Sequence, residues 1–371
     1  MRVLIAPDSF KGSLTSVEVA RALAGGWQRA RPTDEILLAP LADGGEGTIY
    51  AVAYAGGWQW QETTVSGPTL DKVAARWLRS DDGRQAFVEM AQASGLSLVP
   101  PDRRNPIGAT TLGTGELLRA ALDAGVRRIT LGIGGSATTD GGAGLLRALG
   151  AQVDDDAVRI GRLDPRLGEV DFQVACDVTN PLLGPAGAAA TYGPQKGATP
   201  EQVVELDGRL GRFADRLEAA AGRLERDTPG AGAAGGLGFG LLAIQDRFRS
   251  FTLRPGIDLV MEATDFDAKL ARADLVITGE GRIDAQTAFG KTALGVARRA
   301  FAAGVRCAAA GGGVEPEGIE ALGRFGVTVV PVWERPVPVE EAMAAADTPL
   351  VACGARMATM PDLSASRHGA T

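Results

Sequence analysis

The sequence predicts an α/β protein with a doubly wound domain built from both ends of the chain and a large inserted second α/β domain. Two βα units open the chain, and the same alternation of short apolar runs and helical patterns returns after residue 287. The residues between these two regions begin instead with short runs in which apolar and polar residues alternate. A chain of 371 residues is also too long for one ordinary core.

The first two βα units are defined by apolar runs followed by polar or glycine-rich loops. The run 3–7 precedes a helical pattern that Thr15 or Ser16 caps. The run 35–41 precedes a second glycine-rich loop and a helix that ends before Gly56. Two such units in succession predict a parallel sheet.

The middle of the chain is more varied. From about residue 58, short alternating runs separated by turn residues predict an antiparallel meander. Next, we expect a helix at 114–125, a strand at 127–133 and a long polar helix from 200 to about 223. The stretch 229–242 is too apolar for a linker and too rich in glycine for a plain helix, so we predict a close-packed loop that enters a helix.

The last part of the chain returns to the opening pattern. Residues 273–281 indicate a strand followed by a loop, after which helices and strands alternate almost to the end. We therefore place the chain crossings near 66 and 287. The predicted first domain contains 1–66 and 288–371, and 67–287 form the inserted domain with the glycine-rich loops.

Charge and hydropathy indicate a small-molecule partner. The net charge is −7, and the Lys and Arg residues are scattered, which argues against a surface for nucleic acid or an anionic membrane. No window approaches the about 18 uninterrupted apolar residues of a membrane span, and the N-terminus turns polar too soon for a signal peptide. We therefore expect a cytoplasmic protein.

The number and positions of the cysteines and of the single histidine argue against several kinds of metal and catalytic site. Cys176, Cys307 and Cys353 are far apart and form no Cys-x-x-Cys pair, so neither a disulfide framework nor a zinc site is indicated. The single histidine, His368, lies in the C-terminal tail, where we expect a frayed surface. Proton transfer must then use Asp, Glu or Lys.

The glycine-rich stretch 131–146 is the most distinctive loop. Gly132-x-Gly134-x-x-Ala137 after a strand fits a dinucleotide fingerprint. However, the glycine pair after Asp140 would break the helix of that motif, so we expect the helix to begin after this pair. The loop then presents backbone N–H groups and hydroxyls at a helix N-terminus, which favours phosphate binding. Close helix packing is the alternative use of the glycines.

Two other loops follow predicted strands. Asp43 and Glu46 lie in an Asp-Gly-Gly-x-Gly repeat beside a helix N-terminus, where carboxylates are either simple caps or functional groups. Asp8 and Lys11 follow the first strand. Since ligands bind at the carboxyl ends of parallel strands, these two residues face either a cleft or solvent.

The stretch 278–292 ends in Gly-Lys-Thr but is not a P-loop, because Ala285 stands where the first P-loop glycine should be. It carries a mixed-charge set of residues, Glu280, Arg282, Asp284 and Lys291. Such a set can position phosphates and a metal, or form a surface ion-pair cluster.

A strand at 172–176 is followed directly by Asp177 and Asn180, and the compact loop 193–198 adds Lys196. An aspartate at a strand end near a lysine suits a general base with a charge neutraliser. Turn capping is the alternative for the aspartate.

These segments together resemble the bacterial glycerate kinase family. The blocks that carry the resemblance run in order along almost the whole chain: APDSFKGSLTS, PLADGGEGT, EMAQASGL, TTLGTGEL, GGSATTDGGAG, ACDVTNPLLGP, YGPQKGA, PGAGAAGGLGFGL, PGIDLVME and DLVITGEGRIDAQTAFGKTALGVA. The resemblance implies a D-glycerate 2-kinase of type I, which uses ATP to form 2-phosphoglycerate. It also implies a Rossmann-like domain with an inserted α/β domain, and a cleft between the two.

The implied reaction assigns expected roles, because phosphoryl transfer needs a phosphate cradle, carboxylates for Mg²⁺, a base and a cation for the acceptor's carboxylate. The expected ATP contacts are Gly134, Gly135, Ser136, Thr139, Lys196 and Lys291. The expected metal ligands are Asp43, Glu46, Asp140 and Glu280. Asp177 is the expected base. Lys11 and Arg282 are expected to hold glycerate and assist catalysis, with Asp8, Ser13 and Asn180 as further substrate contacts.

Two other functions stay open at this point. A nicotinamide-dependent dehydrogenase of a small hydroxy acid fits the first glycines of the loop, although the lack of a suitable histidine and the second glycine pair oppose it. A catalytically inactive sugar-acid sensor would use the same site. The sequence leaves the oligomeric state open between a monomer and a homodimer.

Overall fold

The structure, a computed structural model, describes residues 1–289 and 292–364. The chain forms two compact units, and the second consists of Gly44–Ile49 and Gly57–Gly256. The first unit contains Met1–Asp43, Tyr50–Gly56 and the described chain from Ile257 onward. These limits differ from the crossings expected near 66 and 287, because the strand up to residue 66 pairs in the second unit's sheet and a strand before residue 287 pairs with the N-terminal strand.

The strands occur in this order: β1 (Arg2–Ile5), β2 (Glu35–Leu38), β3 (Trp58–Ser66), β4 (Lys72–Ser80), β5 (Gln85–Glu89), β6 (Arg128–Gly132), β7 (Gln152–Val153), β8 (Val158–Arg159), β9 (Asp171–Ala175), β10 (Ser250–Arg254), β11 (Leu275–Ile283), β12 (Arg306–Val314) and β13 (Thr328–Pro331). Short 3₁₀ turns connect several of them, among them Ala285–Phe289 after β11.

The α-helices are α1 (Ser16–Ala30), α2 (Thr48–Tyr54), α3 (Ala91–Ser94), α4 (Leu112–Asp123), α5 (Ala143–Ala148), α6 (Ala188–Tyr192), α7 (Pro200–Ala221), α8 (Ala233–Ala243), α9 (Gly256–Ala263), α10 (Phe266–Leu270), α11 (Thr292–Ala302), α12 (Pro316–Gly323), α13 (Val339–Ala344), α14 (Thr348–Thr359) and α15 (Pro361–Ser364). Within the described residues, no helix is long and apolar enough to cross a lipid bilayer.

The first unit is built on a five-stranded sheet with the order β13-β12-β11-β1-β2, in which every pairing is parallel. Val3 and Ile5 of β1 and Leu275 and Ile277 of β11 are fully buried, as expected for strands covered on both faces. The strand order reverses between β1 and β11, which makes this edge the topological switch point. The predicted α/β class and the doubly wound parallel sheet are confirmed.

Helix α1 shows how local sequence fixes an element of this unit. Thr15 caps the helix, and Glu18 returns a hydrogen bond to the Thr15 backbone, so the two form a capping box. Gly26 of α1 and Gly354 of α14 permit close packing of the two helices, because a Cβ at Gly26 would lie 1.9 Å from the Val351 carbonyl oxygen.

The second unit contains a six-stranded mixed sheet with the order β10-β9-β6-β5-β4-β3. The predicted meander is confirmed, since β3 with β4 and β4 with β5 are antiparallel. The remaining pairs are parallel and bring the carboxyl ends of β5, β6, β9 and β10 to one edge. Phe172 stacks on Phe248 at a centroid distance of 4.5 Å within the buried core.

Two glycine-rich segments of the second unit follow their predictions. Helix α5 begins directly after Gly142, whose φ of 85° is left-handed. Residues 234–236 form a left-handed turn near the start of α8, in which Ala234 has φ 53°. The close-packed loop expected in this stretch is therefore present, and its strained residue is not a glycine.

Candidate functional site

A cavity of about 750 Å³ lies at the carboxyl edge of the first unit's sheet. Its lining comes from the segments that follow or end β1, β2, β11, β12 and β13. The charged residues in its lining are Asp8, Lys11, Asp43, Glu280, Arg282, Glu315, Glu334 and Arg335. The edge at the switch point is where ligands bind in doubly wound sheets. Residues that the sequence predicted for substrate and metal therefore share one cavity.

Asp8 is the most buried carboxylate of this cavity, at 6% exposure. It accepts hydrogen bonds from the Thr292 hydroxyl at 2.6 Å and from the Ser9 backbone N–H at 2.6 Å. Burial, with a smaller contribution from the Asp43 carboxylate, raises the pKa of Asp8 to about 6. Asp8 is thus a carboxylate that can hold or accept a proton near neutral pH.

Lys11 lies beside Asp43, with 3.7 Å between its ammonium nitrogen and the Asp43 carboxylate. Its side chain is exposed, and the charges of Asp43 and then Asp8 raise the pKa of the Lys11 ammonium. Ser13 follows on the same loop and also lines the cavity. One exposed cation therefore stands next to two carboxylates.

The carboxyl end of β11 adds Glu280 and Arg282. Glu280 is buried and accepts a hydrogen bond from the Thr287 hydroxyl. Arg282 is exposed and pairs with Asp284 at 3.4 Å and with Glu315, and the Glu315 carboxylate raises the pKa of the guanidinium. The ion-pair cluster considered from the sequence is present, and its Arg282 and Glu315 line the cavity. Lys291 lies outside the described residues.

Mg²⁺ is compatible with this set of oxygen donors. Among residues 1–289 and 292–364, no three Asp, Glu, Cys or His side chains lie close enough together to hold a metal unaided. Mg²⁺ needs only one or two carboxylates when phosphates and water complete its shell. After burial, the charge of the Asp43 carboxylate is the next cause of the raised pKa of Asp8, and a divalent cation would relieve that repulsion.

The predicted phosphate loop of the second unit packs against the turn 44–47. A Cβ at Gly132 would lie 2.6 Å from the Gly44 carbonyl oxygen, and one at Gly134 would lie 2.6 Å from the Gly45 Cα. Gly135 has φ 73°, and the Glu46 side chain lies beside it. The glycines here allow the backbone of the phosphate loop to lie against that of the turn 44–47. This turn places Glu46 next to the phosphate loop.

Asp140 organises the start of α5. It accepts hydrogen bonds from the backbone N–H groups of Thr111, Gly142 and Gly144, at 2.9, 3.1 and 3.1 Å. The Thr111 hydroxyl also donates to Asp140 and accepts from Leu145 N–H. These bonds occupy the carboxylate in holding the loop, and a metal contact by Asp140 stays a prediction.

Lys196 reaches the same loop from its buried side. Its ammonium, 2% exposed, donates to the Ser136 hydroxyl at 2.7 Å and to the Thr138 carbonyl at 2.6 Å. Burial lowers the pKa of Lys196 to about 7. The hydroxyls of Thr138 and Thr139 are buried without a hydrogen-bond partner in the described part of the chain. The loop thus retains unsatisfied polar groups, which in native proteins often mark a ligand site.

Asp177 and Asn180 follow β9 as expected. Asp177 is exposed and accepts a hydrogen bond from Gly256 N–H at 3.0 Å. Asn180 donates to the Ala186 carbonyl and accepts from the Tyr192 hydroxyl, at 2.8 and 2.7 Å. Asp177 is accessible to a ligand, whereas Asn180 is engaged in ordering its own loop.

Glu89, at the end of β5, was not predicted as a site residue. It is 1% exposed and accepts hydrogen bonds from Ile49 N–H at 2.7 Å and Gly47 N–H at 3.4 Å. Burial raises the pKa of Glu89 to about 7, and Glu46 adds to the shift. A carboxylate directly after the apolar run Ala86–Val88 was the available sequence signal, since charges are rarely buried without a function or a partner.

Comparison with known proteins shows the family of this chain. Residues 3–361 match the model of the glycerate kinase family. The chain belongs to the glycerate kinase family. The resemblance inferred from the sequence blocks is confirmed, and the expected enzyme class, a glycerate kinase, is confirmed with it.

Relatives in this family match over most of their length. The glycerate kinase of Bacillus subtilis (strain 168) is 49% identical over 316 residues, which are 81% of this chain and 82% of that protein. The glycerate 2-kinase of Escherichia coli (strain K12) is 45% identical over 80% of this chain and 81% of its own. A crystal structure named as a glycerate kinase 2, from Salmonella typhimurium LT2, has a TM-score of 0.82 at 43% identity and covers 96% of this chain and 97% of its own. None of these glycerate kinase relatives supports the dehydrogenase alternative.

Proposed function

We propose that this glycerate kinase family member transfers the terminal phosphoryl group of ATP to the 2-hydroxyl of D-glycerate with the help of Mg²⁺. The observation that carries the proposal is the cavity in which Asp8, Lys11, Asp43 and Glu280 converge at the switch point of a doubly wound sheet. The relative named glycerate 2-kinase supports the choice of hydroxyl. The cytoplasmic location and the oligomeric state stay predictions.

We assign the acceptor, D-glycerate, to the charged residues of the cavity lining. Lys11 and Arg282 are exposed cations that can pair with the carboxylate of glycerate. Asp8 and Ser13 line the same cavity and suit the acceptor's hydroxyl groups. The expected contact of Asn180 with the substrate stays a prediction.

Mg²⁺ is assigned to carboxylates that have room for phosphate oxygens as further ligands. Asp43 and Glu280 would hold it in the cavity, and Glu46 and Asp140 are the predicted alternatives in the second unit. When bound, Mg²⁺ neutralises the charge on the phosphate oxygens of the donor. The Asp43 carboxylate contributes, after burial, to the raised pKa of Asp8, and a bound cation would offset that contribution.

The phosphates of the donor are assigned to the loop of Gly134, Gly135, Ser136 and Thr139. Its unsatisfied hydroxyls and its position before helix α5 support this role. Lys196 supports the loop through Ser136 and Thr138, and its charge adds to the attraction for phosphate. Lys291 stays a predicted phosphate contact.

In the transfer, the glycerate 2-oxygen forms a bond to the terminal phosphorus while the bond from that phosphorus to the bridging oxygen of ADP breaks. The hydroxyl proton passes to a carboxylate base. Asp177 is our first choice, because its carboxylate is exposed at the end of a strand. Asp8 is the second candidate, because its pKa of about 6 suits proton transfer near neutral pH.

A coupled assay of ADP release with D-glycerate, L-glycerate and glycerol tests the proposal. We expect release with D-glycerate alone, loss of release when EDTA removes Mg²⁺, and a ³¹P spectrum of 2-phosphoglycerate. The 3-phospho isomer would correct the hydroxyl. Absence of ADP release with every acceptor, together with binding of D-glycerate, would instead show an inactive sensor.

A further inference from the structure

The cavity of the first unit is much larger than its proposed acceptor. At about 750 Å³ it lies in the upper part of the range of roughly 300–1,000 Å³ for small-molecule and cofactor sites. D-glycerate is a three-carbon acid and would occupy only a small part of that volume. Most of the cavity must therefore serve something other than glycerate.

Besides its charged residues, the cavity has several large apolar ones in its lining. They include Phe10, Leu14, Val332, Trp333 and Leu350. Phe10, Leu14 and Trp333 are only partly buried and pack against the edge of the first unit's core, so they present apolar surface to the cavity. A highly charged ligand alone would not need such a wall, because burying apolar side chains against it gains nothing.

Helix α13 contributes to the lining of the cavity. Met343 is 47% exposed and lines the cavity, and a Cβ at Gly12 would lie 3.2 Å from its terminal methyl carbon. Methionine is flexible and polarisable, and favours contact with aromatic groups. An indole, a phenylalanine ring and a methionine around one space are the surroundings that suit a flat aromatic ligand.

The cavity lining therefore combines charged residues, such as Asp8, Asp43 and Glu280, with large apolar ones, Trp333 and Met343. A ligand that fits both kinds of residue has a flat aromatic group joined to a strongly anionic group that binds a metal ion. Among the reactants of the proposed reaction, only the nucleotide has this form.

We propose that the large apolar residues of this cavity, Phe10, Leu14, Trp333, Met343 and Leu350, bind the nucleoside of the phosphoryl donor. The Mg²⁺ proposed at Asp43 and Glu280 would then contact the phosphates of that donor. The inference rests on the proposed function for the identity of the donor. It assigns the donor's base to the first unit, where no nucleotide motif was recognised in the sequence.

Trp333→Ala tests the inference, because it should raise the KM for ATP much more than the KM for D-glycerate. We expect the KM for ATP to rise about tenfold or more, because base–aromatic stacking is lost, while the KM for D-glycerate changes less than twofold. Trp333→Phe keeps an aromatic face and should restore most of the affinity for ATP. Trp60→Ala is the matched control, since Trp60 is also partly exposed but lies on β3 of the second unit.

Met343→Ala provides a second variant in case Trp333→Ala does not fold, because Met343 is exposed on a short helix. Its KM for ATP should rise severalfold with the KM for D-glycerate unchanged. A rise in the KM for D-glycerate alone, or no change in either KM, would overturn the inference.

Calorimetric titration with adenosine and with ADP separates this inference from the proposed function. We expect both probes to bind the wild-type protein and to bind Trp333→Phe, and adenosine binding to be lost in Trp333→Ala. That result would stand even if no acceptor were phosphorylated. Binding of adenosine that Trp333→Ala and Met343→Ala leave unchanged would refute the inference while glycerate kinase activity remained intact.

Discussion

The buried carboxylate of Asp8 accepts a hydrogen bond of 2.6 Å from the hydroxyl of Thr292, which lies 284 positions later in the chain. Asp8 follows the N-terminal strand, and Thr292 begins α11. The bond favours the ionised carboxylate against the effects of burial and of Asp43, both of which raise the pKa of Asp8. A residue far along the chain thus partly offsets the rise in the pKa of Asp8.

Thr292→Val should destabilise the first unit by about 1–3 kcal/mol at pH 8, because the Asp8 carboxylate loses a donor while it stays buried. The loss should be smaller at pH 5, where Asp8 with its pKa of about 6 is largely protonated. Urea denaturation at the two pH values measures the difference. Thr292→Ser keeps the hydroxyl and should match the wild type; an equal loss at both pH values would contradict the role of this bond.

Gly135→Ala should raise the KM for ATP at least severalfold, because the loop backbone can no longer approach phosphate in its present conformation. Gly135 has φ 73°, so part of any effect is backbone strain. Gly125→Ala is the matched control, since Gly125 has φ 79° and its Cβ would meet nothing within 4 Å. If both variants lose similar stability and neither changes the KM for ATP, the phosphate role of the loop is refuted.

Asp177→Asn should lower kcat by about 10²-fold or more while the free energy of unfolding and ATP affinity stay near those of the wild type. The amide oxygen can still accept the Gly256 N–H bond, so the loop should be retained. Asp102→Asn, at an exposed position, serves as the control. Full activity of Asp177→Asn would exclude Asp177 as the base. Asp8→Asn would then be measured in the same way.

Glu89→Gln should remove the pH dependence that Glu89 gives to the free energy of unfolding. The pKa of Glu89 is about 7 in the folded protein and near 4.5 unfolded, so between these values the native state binds the extra proton. Wild-type stability should then fall as the pH rises from 4.5 to 7, by up to about 1.4 kcal/mol per pH unit from this group, and the variant should lack that contribution.

Thermal or urea unfolding from pH 4.5 to 8 measures this difference. The exposed variant Glu205→Gln should follow the wild-type curve, because Glu205 lies at the surface of α7. A Glu89→Gln curve parallel to that of the wild type would show that Glu89 is ionised throughout the range.

The elements with strong local signals were predicted from the sequence. Thr15 and Glu18 define the start of α1, and the glycine pair before Ala143 delays the start of α5, because caps and glycine backbone preferences act over a few residues. The period-two pattern of β3 and β4 likewise identified the antiparallel meander. The ordered family blocks identified the enzyme class.

The burial of charged residues could not be predicted in this way. Glu89 and Lys196 look like ordinary loop or strand-end residues in the sequence, yet both are almost fully buried and their pKa values move to about 7. Those shifts depend on which backbone groups and hydroxyls surround each side chain, and these come from distant segments. The role of Trp333 in an apolar cavity wall was missed for the same reason.

The sequence by itself determined the order and type of the elements, the family and the residue types available for phosphoryl transfer, because short-range backbone preferences and apolar periodicity are written in neighbouring residues. Only the tertiary structure decided that β1 lies between β2 and β11, that Asp8 meets Asp43 and Thr292, and that Lys196 supports the glycine loop from its buried side. The physical reason is that strand order, desolvation and charge–charge interaction depend on distances between residues that are far apart in the chain.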